Sequence, residues 1–118
     1  MSAPRILVVE DEGLQAMTIE DMLEDLGCEV AASLGTVAEA MAWLEAGEAL
    51  DGALLDVSLD GHLVYPVAEI LAARRVPFAF TSGYGQLGER RFEFALALVK
   101  PVSRAALLRA LRSFGLAV

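Results

Sequence analysis

Ile6-Leu7-Val8-Val9-Glu10-Asp11-Glu12 passes within seven residues from wholly apolar to wholly acidic. Four consecutive apolar residues fit a strand buried on both faces, the form taken in a parallel sheet that helices cover on both sides. The run stops in three acids, so the carboxyl end of the strand carries charge into whatever lies beyond it. In open α/β sheets that edge is where ligands and chemistry gather. A helical spacing follows directly: Ile19, Met22, Leu23 and Leu26 fall at i, i+3, i+4 and i+7, and Gly27 supplies the stop.

Working outward, the same alternation recurs. Cys28 to Ser33 reads as a second, poorer strand. A helix from Thr36 to about Ala46 buries Val37, Ala40, Met41 and Leu44, with Gly47 past its end. Ala53-Leu54-Leu55 is a third strand ending at Asp56, and a third helix covers about Leu63 to Arg74, with Pro66 tolerated in its first turn. Pro77 opens a fourth strand, Phe78 to Thr81; a fifth runs from about Ala95 to Val99. The last helix, about Ser103 to Phe114, starts on an N-cap serine and buries Leu107, Leu108, Leu111 and Phe114. Only 17 residues, Gly83 to Val99, separate Ser82 from Lys100. Gly83, Gly85 and Gly88 each weaken a helix there by ~1 kcal/mol. The fourth helix is therefore expected to be short or mobile, at most two turns near Leu87 to Phe92, with Tyr84 and Gln86 in a loop. The whole reads as one α/β domain over residues 1–118, a doubly wound parallel sheet with no output domain.

Composition agrees. With 56 % hydrophobic and 22 % charged residues the chain is neither disordered nor fibrous. No apolar run is long enough to span a membrane, and no secretory signal is visible. A lone cysteine, Cys28, excludes an internal disulfide and suits a cytoplasmic setting; it reads as a buried small hydrophobe. Residues 1–60 hold 14 acidic and 1 basic side chain, and residues 61–118 hold 3 and 8, giving −13 and +5 within a net charge of −8. An acidic domain repels nucleic acid and anionic membrane. Arg104, Arg109 and Arg112 on the last helix read first as a solvated face.

The predicted strand ends converge. The first ends in Glu10, Asp11 and Glu12, the third in Asp56, the fourth in Thr81-Ser82, and the fifth in Lys100, the only lysine. Clustered carboxylates repel unless a cation neutralises them, and a hard dication such as Mg²⁺ takes carboxylate, water and phosphate oxygens. A lysine can neutralise a transferred phosphoryl group, a hydroxyl can hydrogen-bond to it, and an aspartate can accept it. Taken singly, each has a plainer reading: helix-start acids, a turn aspartate, a loop lysine. His62, the only histidine, is as well read as a solvated loop residue, and Trp43 as half-buried packing.

Over essentially its whole length the chain resembles the receiver domains of two-component signalling. Glu10-Asp11-Glu12 is similar to the family's acidic pair, Leu54-Leu55-Asp56-Val57-Ser58-Leu59 to its phosphoacceptor strand and loop, and Lys100-Pro101 to its lysine and following proline. The resemblance implies a flavodoxin-like fold with strand order 2-1-3-4-5. It implies phosphorylation of Asp56 by a histidine kinase or histidine phosphotransfer protein. Glu10, Asp11, Asp56 and the Ser58 backbone carbonyl would hold Mg²⁺, while Lys100 and Ser82 would contact phosphate. A cis Lys100–Pro101 bond is expected on the same ground. Phe80-Thr81-Ser82-Gly83-Tyr84 further resembles the single-domain FAT GUY subgroup, departing from its Ala-Thr at Thr81-Ser82. Two other departures stand out: Glu10 where Asp is commoner, and Ala97 where most members carry an aromatic switch residue. With that residue missing, the Ser82-Gly83-Tyr84 loop becomes the candidate switch.

The first helix also leaves Leu14 and Met17 as apolar residues beside the acidic end, a candidate docking patch for the phosphodonor. The function expected is a non-enzymatic, monomeric or weakly dimeric phosphorelay element, sink or signalling switch with a possible downstream protein target. A phosphorylation-independent binding module with the same fold is the alternative. An aspartate-nucleophile phosphatase would want Asp-x-Asp after the first strand, where Asp11 is followed two positions on by Gly13.

Overall fold

A computed structural model of the chain describes residues 2–83, 92 and 95–118. Its elements are β1 (Arg5–Val9), α1 (Gly13–Asp25), β2 (Glu29–Leu34), α2 (Val37–Glu45), β3 (Gly52–Asp56), the two-residue strands β4 (Ser58–Leu59) and β5 (His62–Leu63), α3 (Tyr65–Ala73), β6 (Phe78–Ser82), β7 (Leu96–Val99) and α4 (Arg104–Ser113). The main sheet runs β2-β1-β3-β6-β7, with every pair parallel. This is the expected 2-1-3-4-5 order once the small β4–β5 pair is numbered in. The expected fourth helix, near Leu87 to Phe92, falls between β6 and β7 and, Phe92 apart, lies outside the described residues.

Alternation along β1 divides the interior in two. Leu7 and Val9 join Leu55 and Phe80 under α2 and α3, where Leu44 and Leu71 are fully covered. Ile6 and Val8 join Leu54 and Ala79 under α1 and α4, against Ile19, Leu23, Leu107 and Leu111. Fully burying one such side chain contributes about 1.5–3 kcal/mol, so burial on two faces fixes each central strand's register. No helix among the described residues is long and apolar enough to cross a membrane.

The helix ends follow their sequence signals. Gly27, at φ +88°, ends α1 in the left-handed conformation that glycine adopts without penalty. Thr36 Oγ1 accepts from the Glu39 N–H at 3.1 Å, and Ser103 Oγ from the Ala106 N–H at 3.1 Å. Of the boundaries that differ from expectation, two change which side chains are buried. The second strand starts at Glu29, not Cys28, whose side chain enters the α1–α4 core instead. The third helix starts at Tyr65, because His62 and Leu63 pair antiparallel with Leu59 and Ser58. Leu63 is consequently an exposed strand residue rather than the start of the helix.

Candidate acidic site at the strand ends

Because the five sheet strands are parallel, their carboxyl ends share one edge. β1 runs directly into Glu10 and Asp11, β3 ends in Asp56, and β7 leads into Lys100. Backbone bonds fix these positions before any side chain acts. The Glu10 N–H donates to the Leu34 carbonyl at 2.9 Å, and the Lys100 N–H to the Ser82 carbonyl at 2.9 Å. The Lys100–Pro101 peptide bond is cis, as the sequence resemblance implies.

The side chains then form a floor and a rim. On the floor, Lys100 Nζ lies 2.9 Å from Asp56 Oδ2 and 2.9 Å from Glu10 Oε1. Glu10 and Asp56 are only 4 % and 5 % exposed. Glu10 Oε1 is fully buried and meets the Lys100 ammonium as an ion pair. Glu10 Oε2 accepts from the Glu12 N–H at 3.2 Å. Burial, and then the neighbouring Asp56 carboxylate, push the Glu10 pKa up to about 7, outweighing Lys100. For Lys100, burial works against the charge, but its bonds to Asp56 and Glu10 win and hold the ammonium above its usual range.

On the rim, Asp11 is exposed, and its Oδ2 accepts from the Asp60 N–H at 2.8 Å. Partial burial opposes its ionisation, but that backbone donor and the neighbouring Glu10 and Asp56 carboxyls outweigh it, and the pKa of Asp11 is lowered. Ser58 sits beside Asp56, its N–H a long 3.4 Å from Oδ1.

Glu10, Asp11 and Asp56 each present one oxygen, and these atoms lie within 4.8 Å of one another. Among the described residues this is the only such group of acidic or metal-binding side chains. The donor set is all oxygen, and three carboxylates share the single Lys100 ammonium, so the residues fit a hard dication, which would neutralise the remaining negative charge.

The structure therefore brings together Glu10, Asp11, Asp56 and Lys100. Ser82 is buried at the end of β6, opposite Val99 in the ladder. Thr81 lies opposite Asp56, and its carbonyl accepts from the Val57 N–H at 3.1 Å. Gly83 is described, whereas Tyr84 lies outside the described residues. Leu14 and Met17 stand exposed on α1 at 73 % and 59 %. Leu14 also lines a cavity of about 140 Å³ with Gln15, Thr18, Ile19, Pro101 and Val102, and Met17 does not. Ala97 pairs with Phe80 in the ladder. His62 is exposed in β5.

Sequence reasoning missed Asp60 and Gly61, whose turn reaches Asp11. The signal was present: Asp-Gly between Leu59 and Leu63 is a strong short-range hairpin mark.

No protein-family model matches the chain, and no curated protein matches it. Among solved structures, it is similar to SdrG from Sphingomonas melonis Fr1, with a TM-score of 0.86 and 40 % identity over 98 % of this chain and 100 % of that one. The BeF3-activated conformation of SdrG from Pseudomonas melonis Fr1 matches with a TM-score of 0.78 and 41 % identity over 98 % and 100 %. The response-regulator REC domain of PhyR from Erythrobacter litoralis matches with a TM-score of 0.85 and 28 % identity over 97 % and 91 %.

Proposed function

The chain belongs to the receiver-domain family of response regulators, and from that premise we propose that it accepts a phosphoryl group on Asp56. The donor is a histidine kinase or histidine phosphotransfer protein. One observation carries this reading: a single ammonium, Lys100 Nζ, sits 2.9 Å from both Asp56 Oδ2 and Glu10 Oε1, beside the third carboxylate Asp11. A binding module that had abandoned phosphorylation would have no need to hold a lysine and three acids in this arrangement.

In the reaction a carboxylate oxygen of Asp56 attacks phosphorus, and the phosphorus–nitrogen bond to the donor imidazole breaks. The electron pair stays on nitrogen, and the product is a mixed acyl phosphate. Lys100 already holds Oδ2 of Asp56 and is positioned to follow the charge onto the phosphoryl oxygens. The Ser82 hydroxyl, at the end of the adjacent strand, is the group assigned to contact them. Glu10, Asp11, Asp56 and the Ser58 backbone carbonyl would hold Mg²⁺, which when bound neutralises the carboxylates and the phosphoryl oxygens. The BeF3-activated conformation of SdrG supports the reading, since trifluoroberyllate stands in for a phosphoryl group.

The chain is a phosphoacceptor, not an enzyme, catalysing at most its own phosphorylation and dephosphorylation. Phe80-Thr81-Ser82-Gly83-Tyr84 supports a FAT GUY-like assignment. Ser82, Gly83 and Tyr84 form the switch, and Leu14 and Met17 dock the donor. The protein works in the cytoplasm as a monomer or weak dimer, and signals by protein contact or serves as a phosphorelay intermediate or sink. Incubation with acetyl phosphate and Mg²⁺, read by intact mass, should add one phosphoryl group. Asp56→Asn or a chelator should abolish it; an undiminished adduct in Asp56→Asn overturns the assignment.

A further inference from the structure

The rim carboxylate is held by a feature of the loop after β3. Leu59 and His62 face each other in a two-strand hairpin closed by Asp60 and Gly61, at φ +49° and +84°. Positive φ at both central residues is the two-residue turn that best matches strand twist. The hairpin is rooted at both ends. Leu59 and Val64 are buried in the α2–α3 core, and the Val64 N–H donates to the Val57 carbonyl at 3.0 Å. With its base fixed, the turn aims the Asp60 N–H at Asp11 Oδ2, 2.8 Å away and 49 residues distant in sequence.

We propose that the Asp60–Gly61 turn is a positioning device that presets Asp11 as a cation ligand, acting through the Asp60 backbone N–H. The donor occupies one carboxylate oxygen and restrains the rotation of the group, leaving the other oxygen for the dication. An exposed carboxylate would otherwise have to be ordered at the moment of binding, and that ordering weakens affinity. Asp60 thus serves through its backbone, and Gly61 through the conformation it permits. This inference rests on the cation-binding reading of Glu10, Asp11 and Asp56.

The test is direct because a Cβ at Gly61 meets nothing within 4 Å, so substitutions there act through backbone conformation rather than by collision. Mg²⁺ is titrated into the full chain by calorimetry, without any phosphodonor, alongside metal-free melting curves. Gly61→Val, β-branched and unsuited to positive φ, should weaken Mg²⁺ binding about tenfold, as expected for losing a hydrogen bond to a charged group. Gly61→Ala should fall between, and carries the test if the valine variant does not fold. Gly61→Asn, which tolerates the left-handed region, should restore near-native affinity. Asp60→Asn keeps the turn and the N–H, and should lose less than threefold. Unchanged affinity in both Gly61→Val and Gly61→Ala overturns the proposal. So does an Asp60→Asn loss as large as that of Gly61→Val, which would assign the effect to the side-chain charge. If the unaltered chain binds no Mg²⁺ in the same titration, the cation reading itself falls, and the positioning role with it.

Discussion

Glu10 and Asp11 are consecutive carboxylates at the end of one strand, yet they stand in two different regions of the site. Glu10 belongs to a floor that is buried and closed by charge: Lys100 bridges it to Asp56, and burial drives its pKa up to about 7. Asp11 belongs to a rim that is exposed and closed by backbone, where the Asp60 N–H helps to hold its pKa below the usual carboxylate range. The floor is thus electrostatically undersupplied with positive charge, while the rim is ionised and oriented. A dication placed between them relieves the first and uses the second. One acidic stretch thus holds both a group short of positive charge and a group arranged to receive a cation.

The largest break in this comparison is Lys100→Met. It removes the one ammonium among the floor carboxylates and leaves Glu10 and Asp56 facing each other. Removing one partner of a buried pair destabilises by about 3–5 kcal/mol, because the remaining charge is uncompensated. Denaturant unfolding of the metal-free protein at pH 8 should show a loss of that order, partly recovered by Mg²⁺. A loss below about 1 kcal/mol, the scale of an exposed pair, would mean that solvent rather than Lys100 balances the floor.

The floor was more legible in the sequence than the rim. Ile6 to Val9 and Ala53 to Leu55 are apolar runs buried on both faces, so Glu10, Asp11 and Asp56 had to emerge at the same edge. Lys100 followed from its place after the fifth strand. The depth at which Glu10 sits, and its bridge to Lys100, depend on how β1, β3 and β7 lie side by side, which no local pattern encodes. The rim is less legible for a local reason: the helical pattern extends back to Leu63, although Asp60-Gly61 between Leu59 and Leu63 marks a hairpin. The one-residue shift of β2 has another cause: the Cys28 N–H donates to the Leu23 carbonyl at 2.9 Å, so Cys28 still closes the end of α1 and the ladder begins with Glu29 opposite Arg5.

A smaller effect sharpens the contrast through pH. For Glu10 the folded pKa is raised above the unfolded value of 4.5, so its contribution is fully present below pH 4.5 and is lost as pH rises through about 7. Linkage then makes the metal-free protein roughly 2 kcal/mol less stable at pH 8 than at pH 5.5 from this group. Asp11 has the opposite sign. Its lowered pKa adds stability above 3.8 that is lost only at lower pH, outside this window. Lys100 stays charged throughout, since its raised pKa lies above 10.5. Chelator-treated protein unfolded at the two pH values should show the loss, Glu10→Gln should flatten it, and Mg²⁺ should stabilise more at pH 8. An equal slope in Glu10→Gln would place the titrating group elsewhere.

The smallest effect on the fold is expected at Leu14, and that makes it informative about donor docking. Leu14 is 73 % exposed on α1, so Leu14→Arg should change stability by no more than about 0.5 kcal/mol. Its side chain nevertheless lines an apolar cavity with Ile19, Pro101 and Val102, immediately after the lysine that defines the floor. Under the proposed function a histidine-bearing partner would approach Asp56 closely enough for in-line transfer, and Pro101 ties this cavity to the neighbouring Lys100. Under the proposed docking role, an arginine there introduces bulk and charge where the partner would bury apolar surface. Only a minority of interface residues cost more than about 1 kcal/mol when truncated, but an arginine inserted into the contact adds a desolvated charge, and a loss of about 1.4 kcal/mol would slow transfer about tenfold. Acetyl phosphate needs no such surface, so its reaction at Asp56 should proceed at the unaltered rate. Comparing the two donors on one protein preparation separates docking from chemistry. Equal slowing with both would trace the defect to the floor or the fold, and unchanged transfer from the kinase would remove Leu14 from the docking surface.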